Sequence, residues 1–345
     1  MSSDLALTVK ARAMFGKRLK DDDYYQLMQK RDIGEIAAHL KNETMFAEVL
    51  SGINERAIHR QHLESLLRKD IYIRLKKLMR YSGESDISFI STFSMKSEIT
   101  MILNCVRYIM NPDENIRDDM IASMPLFSAK YFSFDVRHLV EINDYGELIQ
   151  FLSETPYRSI LARYRHEKIE ELDYLSLEHD MELLIFEKIF EAIGVYGKSE
   201  DGEKMRQIIC QRAELLNLSI IYRLKKGFST TSQKIEELLL PYQMHFSKKQ
   251  LHEMIENSTS QEVLEAIRKK YRGYAKDITF TSIEHFIQQI SYNMYHTFIE
   301  YETEPTLVLM SYLYLSDMEI NNIITIIEGV RYKVSPDRIA GLLIY

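Results

Sequence analysis

The sequence predicts an all-α protein made of three internally repeated helical bundles. Three observations carry that expectation. Gly (12) and Pro (6) are scarce among 345 residues, and the abundant Leu, Glu, Lys and Met lose little rotamer freedom in a helix. Apolar residues recur at i, i+3, i+4 and i+7, the spacing of helices that bury one face; strand-like alternation is confined to the short, isolated stretches 128–134 and 276–280. Finally, one helical stretch occurs three times, at Glu98-Ile-Thr-Met-Ile, Glu214-Leu-Leu-Asn-Leu and Glu319-Ile-Asn-Asn-Ile.

The apolar faces of the three copies are Ile99/Ile102/Leu103/Val106, Leu215/Leu218/Tyr222 and Ile320/Ile323/Ile324/Ile327. The copies lie 116 residues apart (214 minus 98) and then 105 (319 minus 214). Such spacing suits domains of roughly 100–150 residues, placed at 1–115, 116–242 and 243–345.

Taken in order, residues 5–19 read as a first helix carrying Arg12, Lys17 and Arg18. Asp21, Asp22 and Asp23 then favour the start of the next helix through its N-terminal dipole. Leu27, Ile33, Ile36, Ala37 and Leu40 form an apolar stripe over two short helices, and Met45, Phe46 and Leu50 follow. This pattern returns: Leu27, Asp32, Gly34, Glu35, Ile36 and Leu40 match Leu139, Asp144, Gly146, Glu147, Leu148 and Leu152 at a constant offset of 112. After one deletion, Thr44, Phe46 and Leu50 match Thr155, Tyr157 and Leu161 at 111. A self-similarity of this length marks repeated structural units. The third copy is weaker, with Met254, Glu262, Val263 and Ile267 in comparable places. Long helices are expected near 56–80, 163–193 and 276–301. Pro112, Pro125 and Pro241 mark junctions, Pro156 and Pro305 fall between helices, and Pro336 opens a last short helix, as its fixed φ allows.

Composition excludes several classes. Lys plus Arg number 44 against 51 Asp plus Glu, a net charge of −7, which disfavours nucleic acid as partner. Cys105 and Cys210 stand at unrelated repeat positions and read as buried thiols of a reducing compartment. There is no apolar run of signal-peptide length at the start. The longest, Leu307 to Leu315, is well short of the ~20 residues that span a bilayer. A soluble chain, held at a membrane only through a partner, is expected.

Chemistry is sparse. No phosphate-binding glycine loop is present. His166-Glu-Lys-Ile-Glu170 and His252-Glu-Met-Ile-Glu256 begin like a zinc-protease helix, but Glu stands where the second His is required. His59 and His62 lie among Arg56, Arg60 and Arg68, which would repel a cation. No cofactor, metal or catalytic residue is expected. Glu98, Glu214 and Glu319 read as structural carboxylates, each buried against an Arg or capping a neighbouring helix. Residues 56–80 hold eight Lys/Arg against two Asp/Glu, net +6, whereas 167–191 hold two against nine, net −7. That asymmetry reads either as solvated faces that drifted apart or as a grip on a partner that is not itself threefold. On the second reading Arg56, Arg60, Arg68, Lys69, Arg74, Lys76 and Lys77 form a partner-contact segment.

On these residues the chain resembles the C-type stalk component of archaeal and bacterial A/V-type rotary ATPases, related to the d-type component of the eukaryotic vacuolar ATPase. The resemblance covers nearly the whole chain. It rests on Glu214-Leu-Leu-Asn-Leu with Arg223-x-Lys-x-Gly-Phe-Ser229, on Glu319-Ile-Asn-Asn-Ile with Arg331 and Val334-Ser-Pro-Asp-Arg-Ile339, on the Asp-x-Gly-Glu helices, and on Lys10-Ala-Arg-Ala-Met14. Glu328 departs from it, standing near where a basic residue is more usual. The resemblance implies a non-enzymatic coupling part: three helical domains in a pseudo-threefold funnel at the cytoplasmic face of a membrane. Its cavity would receive the rotating shaft, made of the D and F proteins of the complex, and its other face would sit on the proteolipid ring. The alternatives are a helical-repeat scaffold for another protein, or an all-α hydrolase with a site assembled across domains.

Overall fold

The computed structural model describes residues 3–81, 84–113, 116–117, 120–121, 132–166, 168–227 and 230–345, and among them every regular element is a helix. Three long helices dominate, Glu84–Met110, Glu200–Gly227 and Pro305–Arg331. Each carries one recurring glutamate and takes its name from it: the Glu98, Glu214 and Glu319 helices. Each closes a similar series. Ser3–Phe15, Asp21–Met28, Ile33–Glu43, Ala47–Leu50 and Arg60–Leu78 precede the first. Val136–Leu139, Tyr145–Phe151, Tyr157–Arg163 and Tyr174–Gly194 precede the second. Ser232–Glu237, Lys248–Asn257, Ser260–Lys270, Arg272–Ala275 and Ile283–Tyr301 precede the third, and Pro336–Ala340 follows it.

Side-chain caps set several of these boundaries. In the two Asp-x-Gly-Glu repeats, Asp32 accepts from Glu35 N at 2.9 Å and Asp144 from Glu147 N at 3.0 Å. Thr259 and Glu262 cap each other reciprocally in the third series, so its weaker sequence match hides the same device. Caps also explain two of the three starts that were expected earlier, those at Tyr174 and Ile283, whereas His59 before Arg60 makes no side-chain cap. The stretch 56–80 becomes a short turn at Glu55–Ala57 and a helix only from Arg60. The stretch 163–193 starts its long helix at Tyr174, where Asp173 accepts from Ser176 N at 3.1 Å. The stretch 276–301 starts at Ile283, with Ser282 Oγ accepting from His285 N. The first helix stops at Phe15 rather than Leu19, and the chain turns through Gly16 to Arg18. Pro305 and Pro336 open their helices and Pro156 stands at an N-cap. The strand-like stretch 276–280 is irregular, as are 132–134, while 128–131 and Pro125, Glu167, Phe228 and Ser229 lie outside the described residues.

Among the described residues the apolar faces gather into three cores that run out of step with the sequence repeat. The Glu98 helix ends the first series, yet Ile102 and Val106 are buried with Leu148, Tyr157 and Met181 of the second. The Glu214 helix places Met205 and Ile209 in that core and Leu215, Leu218 and Ile221 in another with Val263, Ile267 and Phe286. The Glu319 helix packs with the beginning of the chain: Val308, Ile320 and Ile327 share a core with Leu7, Leu27, Leu40 and Leu67. The Glu98 helix is thus buried mainly against the Tyr174–Gly194 helix that comes after it, the Glu214 helix largely against the later helices of the third series, and the Glu319 helix between the preceding Ile283–Tyr301 helix and the N-terminal ones.

The Glu319 helix ends in a reversal in which Val334 N bonds to Gly329 O at 2.8 Å and Lys333 N to Val330 O at 3.1 Å. Lys333 takes the left-handed conformation there, with φ 55°. Gly329 is required by close approach: a Cβ on it would stand 2.5 Å from Ile339 Cγ1 and Cδ1. Gly329→Ala is therefore expected to destabilise by about 1–3 kcal/mol through overpacking, outweighing the roughly 1 kcal/mol that Ala gains in helix propensity. Adding Ile339→Val should recover part of the loss in urea unfolding, and additive losses would place the cause elsewhere.

Candidate functional site

Glu98, Glu214 and Glu319 are all buried, at 3 %, 0 % and 5 % exposure. A carboxylate at such depth costs several kcal/mol unless donors replace its water. Each of the three meets a loop that immediately precedes a short helix. Glu98 accepts from Ser133 N, from Ser133 Oγ at 3.1 Å and from the Tyr157 hydroxyl. Glu214 Oε2 is wrapped by three successive backbone N–H groups, those of Met244, His245 and Phe246 at 2.8–2.9 Å. Its Oε1 accepts from the Tyr271 hydroxyl at 2.8 Å. Glu319 Oε1 accepts from Leu19 N at 2.7 Å, and Oε2 from Arg74 at 3.2 Å.

The third network shows how the repeat tolerates a lost donor. Phe46 holds the place that Tyr157 holds one repeat later, and it has no hydroxyl. Arg74 lies over the Phe46 ring, 4.9 Å from its centroid, and supplies the missing donor to Glu319. Arg74 also holds Asp70 and is itself only 5 % exposed. Burial pushes the Asp70 and Glu319 carboxyls up, with Arg74 opposing it in both.

Three residues further along, two copies carry a second tie. Asn217 bonds both backbone groups of Leu240, and Asn322 both backbone groups of Ile344, at 2.7–2.9 Å. The Glu98 copy has Met101 there. Two residues before each glutamate stand Lys96, Arg212 and Asp317, and these converge where the long helices meet. Lys96 Nζ lies 3.3 Å from Asp317. A cavity of about 410 Å³ opens at this junction, lined by Lys96, Arg212 and Tyr314 and by apolar Leu215, Leu216 and Ile287. Glu178, Glu182 and Glu284 also border it.

The residues expected to contact a partner do not form one surface. Arg56 and Lys76 are exposed. Arg74 faces inward. Arg60 pairs with Glu328 and Glu64, which gives the unusual acidic residue at 328 a local role. Lys77 pairs with Glu48. Arg68 is half-buried beside Ile71 and Tyr72, and Lys69 is half-buried with a partner of its own. In the acidic stretch, Asp173 meets Lys234 and Asp180 meets Arg163 and Tyr164. His252 pairs with Glu236, and His59 and His62 are exposed.

Sequence reasoning identified the three glutamates but not their donors. The tyrosine at 157 was visible in the aligned repeat; Tyr271 and the backbone donors had no signal. The model of the family described as ATP synthase (C/AC39) subunit matches residues 7–342. No curated protein matches the chain.

Tyr157→Phe and Tyr271→Phe each remove one donor from a buried carboxylate and should cost about 1–3 kcal/mol. Arg74→Met leaves two buried carboxylates without their cation and should cost about 3–5 kcal/mol. Denaturant unfolding followed by helical circular dichroism measures both, and equal losses would remove Arg74 from the charge-balancing role. Burial raises the Glu98 carboxyl above its ordinary value despite the Tyr157 and Ser133 donors. The folded state therefore holds that proton at higher pH than the unfolded chain, and the group's contribution to stability falls as pH rises through the window between the two values. The advantage of the wild type over Glu98→Gln should be largest on the acid side of that window and shrink above it; an advantage that grows with pH would reverse the assignment.

Proposed function

The chain belongs to the ATP synthase (C/AC39) subunit family, and from that membership we propose that it is the non-catalytic central-stalk part that couples a rotating shaft to a membrane ring. As a family member it is a structural part of a rotary ATPase complex. Among the described residues no helix is long and apolar enough to cross a membrane, which accords with a peripheral position at the cytoplasmic face held through protein partners.

In this reading the three units along the chain, 1–115, 116–242 and 243–345, surround a funnel. The junction cavity at Lys96 and Arg212, with Asp317 paired to Lys96 beside it, receives the tip of the shaft formed by the D and F proteins, and the opposite face rests on the proteolipid ring. The observation that carries the reading is the set of three buried glutamate networks. Each fastens a long helix to a loop of another unit, so load applied to one unit passes into the next through interior hydrogen bonds rather than through exposed side chains. A part that transmits torque needs that stiffness. The three equivalent positions at the junction carry Lys, Arg and Asp, which suits a shaft that presents a different side to each. Hydrolysis of ATP belongs to other parts of the complex in this scheme.

The reading predicts that the purified chain binds the D–F pair and the detergent-solubilised ring and turns over no ATP alone. Asp317→Lys reverses one of the three junction charges and should weaken shaft binding by on the order of tenfold through lost charge complementarity. Failure of the folded chain to bind either partner would sink the coupling role and leave a helical scaffold.

A further inference from the structure

A second concavity shares no lining residue with the junction cavity. It is a groove of about 920 Å³ between the start of the Ile33–Glu43 helix, the turn at Glu55–Ala57 and the end of the Glu319 helix. Its floor is apolar, with half-buried Ile33 and Ile58 and buried Val330. Its wall is rigid, because Gly34 lies so close to Glu55 that a Cβ would stand 2.7 Å from the Glu55 carbonyl oxygen.

Four exposed cations, Arg31, Arg56, Arg331 and Lys333, border the groove with three carboxylates, a formal balance of 4 − 3 = +1. The two signs differ in availability. Asp32 accepts from Glu35 N, and Glu35 accepts from Arg31 N, both at 2.9 Å. Glu55 pairs with Lys41 at 2.6 Å. The acids are thus engaged by the protein itself. Among the described residues, none of the four cations lies within ion-pair distance of a carboxylate.

Two details at the rim add to this. Lys333 occupies the left-handed position after a helix, φ 55°, where glycine is favoured for steric reasons. The backbone there fixes where the lysine side chain leaves the chain, at the rim of the groove. Beside it Tyr332 is 67 % exposed, with the Arg331 guanidinium 5.2 Å from its ring centroid.

We propose that this groove docks an acidic, extended segment of a protein partner. Spaced carboxylates of the segment meet the free guanidinium and ammonium groups, and its intervening apolar side chains lie on Ile33 and Ile58. Arginine forks match carboxylates in bidentate geometry. The groove's own carboxylates repel a dense phosphate cluster but leave room for charges spaced along a peptide. The inference stands apart from the coupling role and does not require it.

The test uses the full chain and a fluorescein-labelled peptide of alternating Glu and Ala, read by anisotropy. Binding should saturate and weaken as salt rises. Arg56→Glu should weaken it by on the order of tenfold. Lys333→Gly separates docking from folding: it should leave the melting temperature unchanged or raised, because glycine suits that backbone, while binding falls severalfold. Lys249→Glu makes a charge reversal on the Lys248–Asn257 helix, outside the groove, and should leave binding intact. Equal weakening by Lys249→Glu, no saturable binding by the wild type, or binding to phosphatidylserine–phosphatidylcholine vesicles without binding to the peptide would each overturn the proposal.

Discussion

A carboxylate taken out of water must be met by donors, and three long helices of this chain each carry one. That requirement organises the molecule. A glutamate in the interior of a helix cannot be satisfied by its own helix, whose N–H groups are already engaged. It reaches across to the next loop and fixes where that loop turns. Leu19, Ser133 and Met244–Phe246 are these loops, and each one immediately precedes a short helix. The glutamates therefore set the junction between one packed unit and the next, where a shift of register would leave a charge buried without partners.

The consequence is a chain whose cores and repeats are out of phase. The Glu319 helix packs with the first helices of the chain, just as the Glu98 helix packs with the helices after it. Contacts of such large sequence separation carry a substantial loop-closure cost in folding, but in the folded state they tie the two ends of the sequence into one core. The C-terminal residues tighten the tie further: Asn322 clamps Ile344, and Tyr345 stacks on Tyr24 at 4.8 Å.

Much of this was legible in the sequence, and the limits are physical. Helix content followed from composition and apolar period. The Asp-x-Gly-Glu pattern is a capping rule written in residues three apart, so Asp32 and Asp144 could be read directly. The long helices were expected to start earlier than they do, because apolar period continues through a preceding turn while one capping hydrogen bond ends it. Asp173 and Ser282 made those choices, and both are common residues whose capping role depends on the local backbone. The glutamates were recognisable because they recur and stand in apolar surroundings. Their partners were not, since three of Glu214's four donors are backbone groups of a loop whose placement depends on tertiary structure. The phase shift of the cores was invisible for the same reason: a repeat in sequence says which helices are alike, not which neighbour each one packs against.

The basic stretch shows how far counting charges can mislead and where it still helps. Its excess of six positive charges over residues 56–80 describes the chain, whereas a partner meets only the part left after folding. Arg74 is drawn inside because Phe46 lacks the hydroxyl of Tyr157, and Arg60 and Lys77 are held by Glu328 and Glu48. What remains outward is a smaller set, including Arg56, that lies beside cations from distant parts of the sequence, Arg31, Arg331 and Lys333. An interior electrostatic need thus removes charge from one surface, and the fold assembles another from both ends of the sequence. The charge this stretch leaves outside depends in part on how a buried carboxylate is satisfied.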